Sequence, residues 1–230
     1  MNPDPTSLGN FSGTARLFPL PNLVLFPYVI QPLHIFEPRY RRLMADALAG
    51  DRLMAMALLK PGWEEDYPQR PAIHPVVCLG KIFKEERLPD GRYNLLLHGL
   101  ARARVLEELP NGKPYRSARV ELLADVPVHP ARTEQELRRQ LEVQMTRWFQ
   151  GQSQALEQLR QLLKSTLSLG TLSDIFSFAL ALGVEVKQQL LEEVRVEPRV
   201  RTLLACLEAN SPPETVPSAD RKFPPEFSAN

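Results

Sequence analysis

The chain has 230 residues, of which 43% are hydrophobic and 24% are charged, and its formal net charge is +1. This length is enough to bury a sizeable core, and the ordinary composition excludes a fibrous repeat and a chain that is disordered throughout. A net charge near zero provides no overall attraction to nucleic acid or to an anionic membrane.

The sequence indicates a cytoplasmic protein. Its first residues lack the basic and then apolar pattern of a secretory signal. The most apolar helical window, residues 175–184, is about half as long as a segment that spans a bilayer. Cys78 and Cys206 are far apart and no CxxC motif occurs, so we expect no disulfide framework.

Proline interrupts the first apolar stretch. Residues 17–27 and 32–40 contain short apolar runs with a proline every few residues, and proline removes a backbone donor and clashes with the preceding helical turn. The pattern predicts short, bent strands with prolines at their ends or edges. Residues 41–49 are then predicted to form a helix, because apolar residues recur there at helical spacing. Residues 1–13 are expected to form a flexible leader.

Several further strands are predicted before residue 130. Residues 53–59 form a short apolar run, and a loop at residues 60–75 follows it. Residues 76–88 and 92–98 flank the turn Pro89-Asp90-Gly91 and predict a long hairpin. Gly99 predicts a bend or bulge, and residues 115–123 form another strand after a turn at Asn111-Gly112. Such spacing favours a closed or nearly closed antiparallel barrel.

Helices are predicted from residue 130 onwards. Thr133 can cap the first, in which Leu137, Leu141, Met145 and Trp148 form one apolar stripe. A second helix covers residues 156–167, a third runs from Leu172 to Leu182 with Thr171 or Ser173 as its cap, and further helices cover residues 186–196 and 198–209. Packing of these stripes on one another predicts a helical bundle. Residues 210–230 are rich in proline and small polar residues and are expected to form a disordered tail.

Three parts of the sequence resemble the N-terminal domain family of Lon proteases, the LON substrate-binding domain. The first is LFPLPNLVLFP with PLHIFEPRY, at residues 17–40. The second is LPDGRYN at residues 88–94, followed by Gly99 and the arginines at 102 and 104. The third is KQQLLE at residues 187–192 with the helix at residues 199–204. The resemblance covers residues 16–208 and suggests a stand-alone member of this family.

The resemblance implies an α+β fold: a PUA-like antiparallel β pseudo-barrel with one short helix, followed by a C-terminal α-helical bundle. On this basis the pseudo-barrel domain would occupy residues 14–129 and the bundle residues 130–209. It also implies a non-catalytic module that recognises unfolded or exposed polypeptide segments, as the substrate-recognition region of a Lon protease does.

An enzymatic activity is not expected. The chain lacks the G-x-x-x-x-G-K-[ST] motif of a P-loop, since Ile82 follows Gly80-Lys81 and Pro114 follows Gly112-Lys113. No sequence is left for a serine–lysine peptidase domain, and the four histidines lack the spacing of metal ligands. We therefore assign no catalytic residue, no metal ligand and no cofactor.

A candidate peptide-binding site comes from apolar and aromatic residues in the first half of the chain. An extended peptide could dock along a barrel edge or groove through backbone hydrogen bonds, with its side chains in apolar pockets. The candidate residues are Leu33, Ile35, Phe36, Arg39, Tyr40, Trp63 and Tyr67. Trp63 and Tyr67 either fold back over the barrel end or form exposed anchors. Arg39 lies in a basic cluster with Arg41 and Arg42 and is expected to pair with a nearby acid.

The expected partners are unfolded or partly folded polypeptides, with a protease or chaperone as a further candidate; a membrane is not expected and nucleic acid is not favoured. Three alternatives stay open at this point. One is an adaptor or regulator that docks on a separate protease, the second is a PUA-like binder of RNA or a nucleotide, and the third is a residual ATP-independent peptidase. RNA binding would depend steeply on salt concentration.

Overall fold

A computed structural model describes residue 8 and residues 11–67, 69–150 and 153–209. The described residues form two compact units, a strand unit up to Ala124 and a helical unit from Asp125. The predicted domain boundary at residues 129 and 130 stays a prediction. The predicted disordered tail and most of the predicted flexible leader, residues 1–7, 9 and 10, lie outside the described residues.

From Thr14 onwards, the part of the strand unit that the structure describes contains six strands and two helices. The strands are β1 (Thr14–Leu20), β2 (Ile30–Ile35), β3 (Leu53–Leu58), β4 (Val76–Arg87), β5 (Tyr93–Leu109) and β6 (Ser117–Leu123). The helices are α1 (Pro38–Leu48), between β2 and β3, and α2 (Trp63–Asp66), between β3 and β4. The sheet has the order β2-β5-β4-β3-β1-β6, and β6 also pairs with β5.

The α+β class is confirmed, with a correction to the predicted antiparallel barrel. β1 and β3 run parallel, with Leu17 opposite Ala55, so the sheet is mixed. The parallel pairing is possible because β2 and α1 lie between these two strands and form a crossover connection. The sheet curls far enough for β6 to pair with both β1 and β5, while β2 remains at the edge beside β5.

The interior of the strand unit consists of residues from nearly every strand. All six residues of β3 are buried, as expected for its continuous apolar run. Small side chains lie beside larger ones in this core, for example Ala55 and Ala57 in β3 beside Val77 and Leu79 in β4. Small and larger side chains packed together in this way can fill the space at the density of a protein interior. The predicted hairpin between β4 and β5 is also present, with Leu88 N donating to the Arg92 carbonyl oxygen at 2.9 Å.

Helix α1 positions part of the candidate site. It begins at Pro38, three residues earlier than predicted, because proline at the first helical position loses no hydrogen bond. Its buried residues, Tyr40, Leu43, Met44 and Ala47, follow the spacing of one helical face. Near its end, the Asp46 carboxylate accepts a hydrogen bond from the Tyr115 hydroxyl at 2.7 Å and pairs with Lys113 at 3.2 Å. These contacts attach α1 to the turn between β5 and β6.

Asp46 is expected to make the strand unit less stable in acid. The hydrogen bond from Tyr115, with further contacts from Lys113 and Arg42, holds the pKa of Asp46 below its usual range. A group whose pKa is lower in the folded state stabilises the fold above its unfolded pKa, and this stabilisation is lost as the pH falls through the folded pKa. The stability advantage of the native chain over Asp46→Asn should therefore be present at neutral pH and shrink below about pH 4.

Thermal unfolding of both proteins across this pH range measures the effect. Glu64→Gln, which removes an exposed carboxylate from α2, is the control and should follow the native curve. If Asp46→Asn is less stable than the native protein by the same amount at neutral and acid pH, the charge of Asp46 does not have the proposed role.

Five helices occur in the described part of the helical unit: α3 (Ala131–Trp148), α4 (Ser153–Lys164), α5 (Leu169–Ala179), α6 (Val184–Glu192) and α7 (Val196–Ala209). The predicted stripe of α3 is confirmed, because Leu137, Leu141, Met145 and Trp148 are its buried residues. The predicted cap of α5 is wrong. The Ser168 hydroxyl accepts the hydrogen bond from Thr171 N at 3.1 Å, so α5 begins before Leu172. Among the described helices, none is both long and apolar enough to cross a membrane.

A fully buried arginine connects several segments of the helical unit. The Arg199 guanidinium in α7 donates to Asp125 Oδ1 at 2.9 Å and to the Glu193 carbonyl oxygen at 2.9 Å. Its Nε donates to Ser173 Oγ at 3.0 Å and lies 3.4 Å from Asp174 Oδ1 in α5. Arg199 therefore links the start of the unit, α5 and the segment before α7 through charged and polar contacts.

Candidate functional site

A large cleft lies in the strand unit beside the edge strand β2. It has a volume of about 980 Å³, which is near the upper end of the range for ligand-binding cavities. It is lined by Phe18, Leu20, Pro21, Asn22, Leu23, Gln31, Leu33, His34, Ile35, Phe36, Glu37, Tyr40, Trp63 and Tyr67. These residues come from the end of β1 and the following loop, β2, the start of α1, and α2 with the residue after it.

Strand β2 forms one side of the cleft. It pairs antiparallel with β5, with Leu33 opposite Leu95, and its other edge has no strand neighbour in the part of the chain that the structure describes. Pro32 lies in the middle of β2, a position that an edge strand tolerates because one row of its backbone donors is not needed for pairing. Leu33 and Ile35 are buried, whereas Phe36, directly after the strand, is 39% exposed.

Tyr40 forms part of the cleft wall from the first turn of α1. Its ring packs edge-on against Phe18, with centroids 4.4 Å apart, and its hydroxyl donates to the Pro19 carbonyl oxygen at 3.3 Å. Burial raises the pKa of Tyr40 well above its usual range, so the phenol remains neutral and presents an apolar ring. These contacts hold the tyrosine in one position in the wall.

Glu37 connects the start of α1 to the loop after α2. Arg39 Nε donates to Glu37 Oε2 at 2.9 Å, and the Tyr67 hydroxyl donates to Glu37 Oε1 at 2.8 Å. The Arg39 guanidinium carbon also lies 4.8 Å from the centre of the Tyr40 ring and 4.7 Å from that of the Tyr67 ring, within the range of cation–π attraction. The expected pairing of Arg39 with a nearby acid is therefore confirmed.

The electrostatics of this group follow from its partial burial. Burial raises the pKa of Tyr67, and the hydrogen bond to Glu37 raises it further. Burial on its own would lower the pKa of Arg39, but Tyr40, Glu37 and Tyr67 more than offset this and leave it raised. The arginine is charged and the two tyrosines are neutral at physiological pH.

Trp63 and Tyr67 lie between the two alternatives that the sequence left open. Both are half-buried, and their rings contact each other edge-on with centroids 5.4 Å apart. Each packs partly against the protein and also contributes to the lining of the cleft. A binding partner in the cleft would meet both rings.

The structure places six of the seven predicted site residues on this cleft: Leu33, Ile35, Phe36, Tyr40, Trp63 and Tyr67. Arg39 is not among the residues that line the cleft; it stacks on two of them. Their role in binding stays a prediction. Sequence reasoning missed residues 20–23, the last residue of β1 and the loop after it, although their proline-interrupted apolar pattern was the available signal. It also missed His34, whose Nδ1 lies 2.8 Å from Asn94 Oδ1 and whose ring stacks near Phe36.

The chemistry of the cleft suits non-covalent binding. Its walls are mostly apolar and aromatic, and two of its polar side chains, His34 and Glu37, hydrogen-bond to neighbouring residues. Within the described ranges, no group of three or more His, Cys, Asp or Glu residues could hold a metal ion. An exposed strand edge beside an apolar cavity offers both backbone hydrogen bonds and contact area for apolar side chains.

The chain is similar in sequence to Lon proteases. The chain is 31% identical over 193 residues to a Lon protease of Trichlorobacter lovleyi and 29% identical over 189 residues to a Lon protease of Dictyoglomus thermophilum. The two matches cover 82% and 80% of this chain. They cover 23% of each relative, so the chain spans about a quarter of the length of these proteins.

Solved structures share the fold. The N-terminal domain of a Mycobacterium avium complex Lon protease matches with a TM-score of 0.65 and 16% identity, covering 86% of this chain and 98% of that domain. A Lon N-terminal domain protein from Xanthomonas campestris matches with a TM-score of 0.59 and 22% identity, covering 84% of this chain and 97% of that one.

The family profile of the ATP-dependent protease La (LON) substrate-binding domain matches residues 14–209, which include both compact units almost entirely. The sequence similarity, the order of strands and helices, and the shared fold all indicate the same family. This chain belongs to the LON substrate-binding domain family.

Proposed function

We propose that this chain is a non-catalytic module that captures unfolded or exposed polypeptide segments in the cleft beside β2. The observation that carries the proposal is a strand edge with no strand neighbour among the described residues, together with an adjoining cavity of about 980 Å³ with mostly apolar walls. The family is described as a substrate-binding domain of a protease, and the substrates of a protease are polypeptides.

The cleft explains how such capture could tolerate many sequences. A peptide strand added to the edge of β2 forms main-chain hydrogen bonds, which do not depend on its side chains. Apolar side chains of the same peptide would then enter the cavity between Leu23, Phe36 and Trp63. Folded proteins bury both their backbone groups and their apolar side chains, so this arrangement selects segments that are not folded.

Removing an aromatic side chain from the cleft is expected to weaken peptide capture. Trp63→Ala should reduce the affinity for a fluorescently labelled, apolar, unfolded peptide by about tenfold or more, because aromatic anchors dominate binding surfaces. Phe36→Ala should have a smaller effect in the same direction, since Phe36 is partly exposed at the cleft. Fluorescence anisotropy measures both affinities.

Phe83→Ala is the matched control. Phe83 is 68% exposed on β4 and is not among the residues that line the cleft. Its replacement also removes an exposed aromatic side chain and should leave the affinity for the peptide unchanged. If all three variants lose affinity equally, or if neither cleft variant loses affinity, the cleft is not the binding site.

A second measurement separates strand addition from apolar contact alone. A peptide that is N-methylated at alternate residues along one edge keeps its side chains but cannot donate hydrogen bonds from that edge. Methylation of the edge that faces β2 should weaken binding, and methylation of the opposite edge should have little effect. If neither methylated peptide binds more weakly than the parent, backbone pairing with β2 is wrong.

A further inference from the structure

A second, smaller cavity of different character adjoins the cleft. This cationic pocket has a volume of about 50 Å³, and Tyr40 and Tyr67 line both the pocket and the cleft. Four cationic residues line it: Arg39, Arg70, Lys113 and Arg116. No Asp or Glu occurs among the described residues that line it. A cavity with this lining is suited to a negatively charged group.

Ion pairs among the described residues leave part of the positive charge of the pocket unbalanced. Three carboxylates pair with three of the cations from outside the lining: Glu37 with Arg39, Asp46 with Lys113, and Glu108 with Arg116. Four cations and three carboxylates leave an excess of one positive charge in this group. Arg70, the remaining cation, is exposed at the pocket and can turn towards a bound anion.

Two of the cations are held rigidly. The Arg39 guanidinium lies against the rings of Tyr40 and Tyr67, at 4.8 and 4.7 Å from their centres. The Arg116 side chain is only 10% exposed, and its Nη1 donates to the Pro71 carbonyl oxygen at 2.8 Å. Donors that are already fixed lose little conformational freedom when an anion binds. Partial burial also strengthens their electrostatic attraction, because it reduces screening by water.

The size of the pocket limits what can enter. A single water needs roughly 10–15 Å³ of such space, so about 50 Å³ accommodates a small group such as a carboxylate but excludes a bulky side chain. The shared walls place this small anionic group next to the larger apolar cleft. A ligand with an extended apolar part and a carboxylate would match both cavities.

We propose that the cationic pocket binds a carboxylate of the polypeptide that occupies the cleft. This inference rests on the proposed function and adds a substrate preference to it: apolar segments with a carboxylate are preferred over the same segments without one. The carboxylate is either the C-terminus of the captured chain or the side chain of an Asp or Glu within it.

Four peptides with one apolar sequence test the proposal and distinguish the two sources. The first has a free C-terminal carboxylate and the second is amidated at that end. The third and fourth are both amidated and carry an internal Glu or an internal Gln at the same position. We expect at least one acid to bind about tenfold more tightly than its neutral counterpart, because hydrogen bonds to charged groups are the stronger ones.

Substitutions in the pocket show where the preference arises. Arg70→Gln should reduce the acid-to-neutral affinity ratio about two- to fivefold, the range of an exposed ion pair, and Lys113→Gln should act in the same direction. Lys84→Gln is the matched control: it removes one exposed cation from β4, outside both cavities, and should leave the ratio unchanged.

The outcomes are distinct. A ratio that depends on Arg70 and Lys113 supports the proposal, and the peptide pair that shows it identifies the carboxylate. If the peptides bind equally well with and without a carboxylate, the proposed role of the pocket is wrong, whereas capture in the cleft is unaffected. An equal fall of the ratio in Lys84→Gln would attribute the preference to overall charge and also overturn it. If none of the peptides binds, the proposed function and this inference are both wrong.

Discussion

Gly99→Ala is expected to lower the free energy of unfolding by about 3 kcal/mol, near the upper end of the range for overpacked sites. A Cβ atom at this position would overlap the carbonyl oxygen of Phe26, would lie 2.9 Å from its carbonyl carbon, and would lie 3.3 Å from Cys78 Sγ. The clash is with backbone atoms, which cannot move away by a rotamer change as a flexible side chain can. The strands or the loop before β2 must therefore move.

The same substitution should also weaken peptide binding in the protein that remains folded. Gly99 N donates to the Val29 carbonyl oxygen at 2.8 Å, and Tyr28 N donates to the Gly99 carbonyl oxygen at 2.8 Å. These two bonds hold the loop between β1 and β2 against β5, and residues 21–23 at the start of that loop line the cleft. Displacement of the loop changes the shape of the cleft.

Chemical unfolding and peptide anisotropy measure the two effects of Gly99→Ala. Gly183→Ala is the control: a Cβ there meets no heavy atom within 4 Å, and its backbone has a φ of −57° that any residue can adopt. The control should lose much less stability than Gly99→Ala, because its only expected cost is the weaker preference for alanine at the N-cap of α6. A Gly99→Ala protein of native stability would show that the close approach of the two backbones is not required.

Arg199→Met is expected to destabilise the helical unit by about 3–5 kcal/mol, the cost of removing one partner from a buried ion pair. Arg199 and Asp174 are both fully buried, and the methionine cannot replace the donors that reach Asp174, Ser173 and Asp125. The loss of the guanidinium leaves the Asp174 carboxylate buried without that positive charge. Chemical unfolding followed by circular dichroism measures the loss.

Arg201→Met provides a matched control on the same helix. Arg201 pairs with Glu197 one helical turn away, with its side chain 57% exposed. An exposed pair of this kind contributes about 0.3–0.5 kcal/mol. The difference between the two variants should therefore be severalfold. Similar small losses in both would mean that the contacts of Arg199 do not stabilise the unit.

Local sequence patterns predicted most of the strands and helices. The Pro89-Asp90-Gly91 turn located the hairpin of β4 and β5, and Gly99 marked the register shift that the structure shows opposite Gly80. The apolar stripe of α3 identified its buried face correctly. These features depend on residues close together in the chain, so their physical causes can be recognised in the sequence.

Contacts between distant segments were not predictable in this way. The parallel pairing of β1 with β3 depends on how the intervening β2 and α1 cross the sheet. Arg199 carries no sequence signal for burial, since an arginine is normally exposed; its partners Asp125, Gly170 and Ser173 lie 26 to 74 positions away in the chain. The cationic pocket likewise joins Arg39 to Lys113 and Arg116.

The sequence by itself determined the family, the α+β class and the apolar and aromatic residues from which a peptide site could be built, because spacing, proline positions and turn residues act locally. Only the tertiary structure decided that Leu33, Tyr40 and Trp63 line one cleft, that β2 is an edge strand, and that Arg39 stacks on the wall instead of lining it. Which segments meet depends on how the sheet curls and how its crossover packs, and these are properties of the whole unit.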